Sequence, residues 1–366
     1  MKKFILSMTM LVLVLCLKTN ISNAAEISAM ERLDYWDITK EYTITNQDAT
    51  YHAYLSKDKK ESWIFKADVA KDKKNVKVVI PDKIENAPVV IVGVTSGYEE
   101  ILAKQNLGSV GIKGSDGSYY LDADVTFWGD FLEPWHYSGP YKKNIKSITM
   151  PDTVRYLGTA AFAYTTSLET IHLSNQLVSL RNYTFLGCKN LRKIDTSAKV
   201  KVEAKEAFTG CSKLAGLVYI TKHLEGDTVS FSNNMVIDLT EKDLVQVMPD
   251  AKKITIPKSV KWIEPAAFKN TSIKTVKVSK KNKNFAVHKR CLYRKAEKEL
   301  VYVFGKGSTL TLSKKIKQIS EDVVVTKAKL KKLIISHKVK RYNNWKKPFV
   351  KNNKKIKIYY RGKRVK

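Results

Sequence analysis

Part of this chain repeats itself every 23 residues. A repeat that short restricts the fold more than any other feature, because one unit cannot bury its own apolar side and must stack on its neighbours. The clearest units are Ile145 to Ser167, Leu168 to Asn190 and Leu191 to Lys213. Set one under another, they align Ile145, Leu168 and Leu191, with Leu214 next, and Ile148, Ile171 and Ile194, with Leu217 next. A phenylalanine column runs Phe162, Phe185, Phe208 and Phe231. Each unit opens on an apolar-x-x-apolar-x-apolar pattern, which predicts a short strand with alternate side chains inward. A second apolar pair follows, Val154 with Leu157 and Leu177 with Leu180, then a small-residue turn carrying the phenylalanine. Parallel stacking at about 4.8 Å converts each column into a ladder and the core into a long spine.

The pattern runs past Leu214 in a looser form. Residues 236 to 268 echo residues 292 to 324 without a gap at an offset of 56, matching Ile254, Ile256, Val260 and Ile263 to Leu310, Leu312, Ile316 and Ile319. Further coils are expected at Ile273-Val276-Val278 and Leu330-Leu333-Ile335, and Ile356 with Ile358 begins a last strand. Upstream, Val78-Val79-Ile80-Pro81 followed by Pro88 to Gly93 matches Ile148-Thr149-Met150-Pro151 followed by Val154 to Gly158, so a first coil starts near Val76. The pattern departs from regularity at Thr196, a polar strand position, and at Val324, where the phenylalanine is lost.

These residues resemble the BspA-type leucine-rich-repeat family of bacterial secreted and surface proteins. The resemblance rests on Ile148 to Pro151 through Ala161-Phe162, on Phe185-Leu186-Gly187-Cys188 with Leu191, and on Ala207-Phe208-Thr209-Gly210-Cys211 with Leu214. The segment from Asn284-Phe285 through Leu292 to Lys295 and Leu300 looks like the hairpin insertion that often interrupts such arrays. The fold class implied is mostly β: a leucine-rich-repeat solenoid of stacked short parallel strands over 76–366, with a small N-terminal cap over 26–75 and an aromatic-rich insertion over 95–144. The resemblance also implies adhesion or host-interaction roles.

Residues 1–25 read as an export signal: Lys2 and Lys3, an apolar run from Phe4 to Leu17, then Ser22-Asn23-Ala24-Ala25. That run is shorter than the ~20 residues a membrane-spanning helix needs, so cleavage is expected ahead of an uncleaved anchor. No second apolar segment follows, and the location implied is secreted or cell-surface. Cys188, Cys211 and Cys291 are too few for a disulfide-built scaffold; the first two share a column and are expected as buried thiols ahead of a disulfide or metal pair.

No catalytic pattern accompanies the repeat. The six histidines are scattered, His172 is expected on the surface beside Glu169, and no zinc, nucleophile-elbow or phosphate-loop motif occurs. No enzyme, cofactor or metal is implied, Asp122, Asp124, Asp130 and Glu133 fitting no calcium loop. Charge is the informative feature. Residues 1–250 hold 30 basic and 30 acidic side chains, whereas residues 251–366 hold 36 and 5. Outward strand positions of the late coils are Lys252, Lys253, Lys274, Lys277, Lys331, Lys332, Lys354, Lys355 and Lys357, leading to a tail with Arg361, Lys363 and Arg364. Stacking predicts a cationic stripe along one sheet face. Lysines that merely blunt a β-surface would not require so few acids among them.

Expected partners are therefore extracellular proteins, acidic glycans or anionic envelope polymers, met through the sheet face and held electrostatically by the late coils. Nucleic acid is disfavoured, since no aromatic-interleaved motif accompanies the lysines. Two other readings stay open: a structural envelope protein held on anionic wall polymer, and a carbohydrate binder using Trp128, Trp135 and Tyr137 of the insertion.

Overall fold

The computed structural model describes residues 33–46, 49–70, 72–93, 112–113, 119–120, 143–204, 206–220, 224–319, 322–325, 330–342, 344–351 and 353–366. The export signal and the insertion residues Trp128, Trp135 and Tyr137 lie outside these.

The 23-residue units form coils of a β-solenoid. Strands Val76–Val79, Ile145–Thr149, Thr170–His172 and Lys193–Asp195 pair side by side in parallel, with Val78, Ile148, Ile171 and Ile194 in one row. Every member of that row is buried. The phenylalanines stack behind it, Phe162 on Phe185 at 5.9 Å and Phe185 on Phe208 at 5.6 Å between ring centroids. Cys188 donates its thiol hydrogen to the Phe162 carbonyl and Cys211 to the Phe185 carbonyl, each at 3.1 Å. Both thiols are free and buried, and each ties its coil to the preceding one by sharing a carbonyl that also closes the turn.

Turns between coils hold register through a polar ladder. The Asp152 carboxylate accepts from the Asn175 backbone N–H at 2.8 Å, and the Asn175 Oδ1 accepts from the Ser197 N–H at 2.7 Å. The irregular Thr196 keeps its place because its hydroxyl donates to the Ser174 carbonyl at 2.9 Å. Gly187 follows its phenylalanine with φ +69°, and a Cβ there would come within 2.6 Å of the Tyr164 ring of the preceding coil.

Past Leu214 the structure departs from the expected columns. Leu214 and Leu217 are buried, but Leu217 lies in a short helix, Ala215–Ile220, rather than a strand. Phe231 still approaches Phe208, at 6.3 Å and tilted by 47°, from the antiparallel strand Thr228–Ser232 instead of a coil turn. That strand opens a three-stranded insert with Met235–Asp238 and Asp243–Val247. The hairpin expected near Asn284 is the second such insert, Phe285–His288, Cys291–Arg294 and Glu299–Val303. The 56-residue echo is thus one insert used twice. Register slips at Val236/Ile237 in the first and at Leu292/Tyr293 in the second, and Lys242 and Lys298 both take positive φ.

Coils resume after each insert. Lys253–Ile256 pairs with Thr275–Val278, and Thr309–Thr311 with Lys332–Ile335 and Lys357–Tyr360, all in parallel. The C-terminal residues are not a free tail. They turn at Arg361-Gly362 and fold back, Tyr359 opposite Arg364, so that cationic residues form the final edge of the sheet. At the other end, Trp36–Asn46, Ala49–Ser56 and Ser62–Val69 form an antiparallel meander. Its last strand pairs in parallel with Ala87–Val92, which joins it to the second face of the solenoid.

Candidate functional site

Lys252, Lys253, Lys274, Lys277, Lys331, Lys332, Lys354, Lys355, Lys357, Arg361, Lys363 and Arg364 are all exposed. Alternation along a strand puts buried Ile254, Val276, Leu333 and Ile358 inward and leaves the intervening lysines outward. Coil stacking then brings residues far apart in sequence together. The Lys274 amide donates to the Lys252 carbonyl, and Lys332 sits directly opposite Lys357 in the parallel register. Lys253 faces Thr275 and Lys277 faces Thr255, so lysine alternates with threonine there.

These side chains do not make one continuous stripe. The two inserts divide the parallel ladder of the first face into three sections, after Asp195 and after Val278. Cations also occupy places that the strand pattern alone did not single out. On the second face Lys298, Lys317 and Lys340 hold successive positions, the Lys317 amide bonding the Lys298 carbonyl and the Lys340 amide the Lys317 carbonyl, each at 2.7 Å. Exposed Lys258, Lys314, Lys315 and Lys338 fill the corner between faces. The signal for the second face was present in the x positions of Val260-Lys261-Trp262-Ile263 and Ile316-Lys317-Gln318-Ile319.

Early coils differ because acids stand beside several of their cations. Arg192 donates to Glu169 at 2.6 Å and also contacts Asp250, while Lys146 lies 3.8 Å from Glu169. The Arg192 hydrogen bond holds the Glu169 carboxyl below the ordinary glutamate range. His172 is on the surface as expected, but its partner is Asp195, at 3.7 Å, rather than Glu169. In the last third the acids among the described residues gather at one spot. Glu264, Glu299 and Asp322 line a small cavity of about 100 Å³ with Arg294 and Trp262. Arg294 pairs with Glu299 at 3.4 Å and Glu297 at 3.8 Å and lies 3.8 Å over the Trp262 ring. With those acids gathered there, the charged side chains elsewhere among the described residues of these coils are cationic.

Aromatic rings do accompany the late cations. The Lys340 amine lies 4.9 Å over Tyr342, and Arg341 4.1 Å over Tyr360. Among the described residues no group of three or more His, Cys, Asp or Glu is placed to hold a metal. Burial pushes the Cys188 and Cys291 thiols up to about 12, far from nucleophilic use. What such a surface does well is attract anions through many weak, screened contacts.

No helix of the described residues is long and apolar enough to cross a membrane. No curated protein matches the chain. Among solved structures it is similar to the pneumococcal vaccine antigen PcpA, at 16% identity and TM-score 0.30, over 87% of this chain and 66% of that one. It is similar to a leucine-rich repeat protein of Bacteroides ovatus at 16% identity and TM-score 0.33, over 87% and 71% of the two chains. A leucine rich cell surface protein of Faecalibacterium prausnitzii gives 12% identity and TM-score 0.23, over 88% and 95%. The sequence pattern described as "BspA type Leucine rich repeat region" matches residues 140–250 and 248–357, more than half of the chain and most of the stacked coils. This chain belongs to the BspA-type leucine-rich-repeat family.

Proposed function

We propose that this is a secreted or cell-surface leucine-rich-repeat binding protein whose C-terminal coils attach it to anionic polymers, leaving the sheet face of the solenoid to recognise macromolecules. The observation that carries the reading is the distribution of charge on the late coils: lysines on two faces and the corner between them, with the described acids gathered at Arg294. Like charges held at strand spacing repel one another, and an anionic partner relieves that cost. The export signal read at residues 1–25 and the family's surface proteins support the location. A girdle with so little geometric selectivity suits a polymer of repeating negative charge better than a small anion.

The test is retention of the full chain on an anionic polymer column as salt rises. The wild type should elute late, and a variant carrying Lys252→Glu, Lys274→Glu, Lys331→Glu and Lys357→Glu clearly earlier, since screening acts on surface charge. Equal elution of the two removes the attachment reading.

A further inference from the structure

The two inserts are copies at an offset of 56 residues, and one difference between them leaves a position open. In the first, Thr228–Ser232 has antiparallel neighbours on both edges: Met235–Asp238 on one side and the coil strand Lys199–Val202 on the other, with Val200 opposite Val229 and Lys199 opposite Ser230. Its counterpart in the second insert, Phe285–His288, pairs with Cys291–Arg294 alone, and among the described residues its sheet ends there. The preceding first-face strand, Thr275–Val278, also ends a sheet, with Lys253–Ile256 on one edge and, among the described residues, no strand on the other.

A groove of about 380 Å³ lies between these two strands. Val278, Ala286 and Val287 line it and are only half-buried, and exposed Lys277 and Lys280 stand at its rim. Strand edges without partners are pairing templates, and lysines commonly protect them. Here the lysines repel a second copy of this basic chain but attract an acidic strand. The resident strand of the first insert shows the shape required: Lys199-Val200-Lys201-Val202 alternates exposed and buried. A visitor needs the same alternation with Asp or Glu in place of lysine.

We propose that this groove docks an extended acidic segment of a partner protein, which adds antiparallel to Phe285–His288 in the place that Lys199–Val202 takes in the first insert. The Phe285 N–H is already bonded to the buried Asn282 Oδ1 at 2.8 Å, so the Phe285 carbonyl and the Val287 N–H and carbonyl supply the backbone hydrogen bonds to the visitor, and Lys277 and Lys280 select for acidic side chains. The inference stands on strand topology and is independent of polymer attachment.

The experiment measures fluorescence anisotropy of a labelled peptide of alternating Glu and Val with the full chain. The peptide should bind, and methylating its alternate backbone amides, which keeps charge and removes strand pairing, should weaken binding about ten-fold or more. Lys277→Glu with Lys280→Glu should weaken it similarly, whereas Lys331→Glu with Lys332→Glu, the same charge change two coils away, should cost less than about three-fold. Absence of binding, equal binding of the methylated peptide, or equal loss in the two double variants overturns strand addition. None of those results alters retention on an anionic polymer, so the two proposals fail separately.

Discussion

Gly216 is where one side-chain atom matters most. A Cβ added there would lie 2.1 Å from the Val245 carbonyl oxygen, so the helix Ala215–Ile220 can approach the first insert only without it. Gly216→Ala should destabilise the chain by about 1–3 kcal/mol in a urea titration, the usual range for overpacking. Of the four cysteines, the three described ones, Cys188, Cys211 and Cys291, make a second case. Burial raises their thiol pKa values, so none should react with iodoacetamide at pH 8 in the folded protein and all three should react in urea; rapid native labelling would contradict that burial. A third compares equivalent positions of the inserts. Arg294 pairs with Glu297 and Glu299, but the first insert has Asp238 in the arginine's place beside Glu241 and Asp243. Partial burial and those unneutralised neighbours push the Asp243 carboxyl up to about 6. A carboxyl raised in the folded state binds its proton more tightly there than when unfolded. Its contribution is therefore present below the ordinary aspartate range and lost as pH rises through about 6. Asp243→Asn should raise the melting temperature at pH 7 and change it little at pH 4.

At the scale of elements, the phenylalanine stack and the inserts have different origins. Phe162, Phe185 and Phe208 meet face to face because identical turns recur at one spacing, and the in-step column made this legible in advance. Phe185 is fully buried between two rings, and Phe185→Ala should cost about 3–5 kcal/mol in the same titration; a loss below 1 kcal/mol would show that the stack does not hold the coils together. Phe231 kept step in sequence yet belongs to a different kind of strand. Counting columns could not reveal that, because an inward phenylalanine looks alike whether its strand runs parallel or antiparallel to its neighbour. The 56-residue echo held the correct answer: since the second copy read as a hairpin, its counterpart near Met235 had to be one too.

Over the whole molecule, the decisive quantity is how charge is spread along a long thin body. Residues 251–366 carry a large cationic excess on stacked coils, and the repulsion among them is long-ranged but screened. Added sodium chloride, up to a few tenths molar, should therefore raise the melting temperature of the wild type and raise it less in the four-glutamate variant. A fall or no change with salt would mean that the lysine heads are too far apart to interact. Cations that the strand pattern omitted, such as Lys317 and Lys340, show why the single-stripe expectation was too narrow. Outward positions of the second apolar pair are occupied by the same residue type, and only the folded coil puts both sets on adjoining faces.

The amino-acid order by itself determined that short strands stack, which side chains point inward, and that the cationic excess lies in the last coils, because each follows from periodicities of two and 23 residues read along one dimension. Tertiary structure decided the rest. Whether a strand runs with or against its neighbour, where the ladder breaks, and that among the described residues Phe285–His288 lacks the partner its counterpart has are matters of backbone hydrogen bonding between distant segments. Main-chain donors and acceptors are the same for every residue type but proline, so side-chain patterns carry little record of which edge meets which.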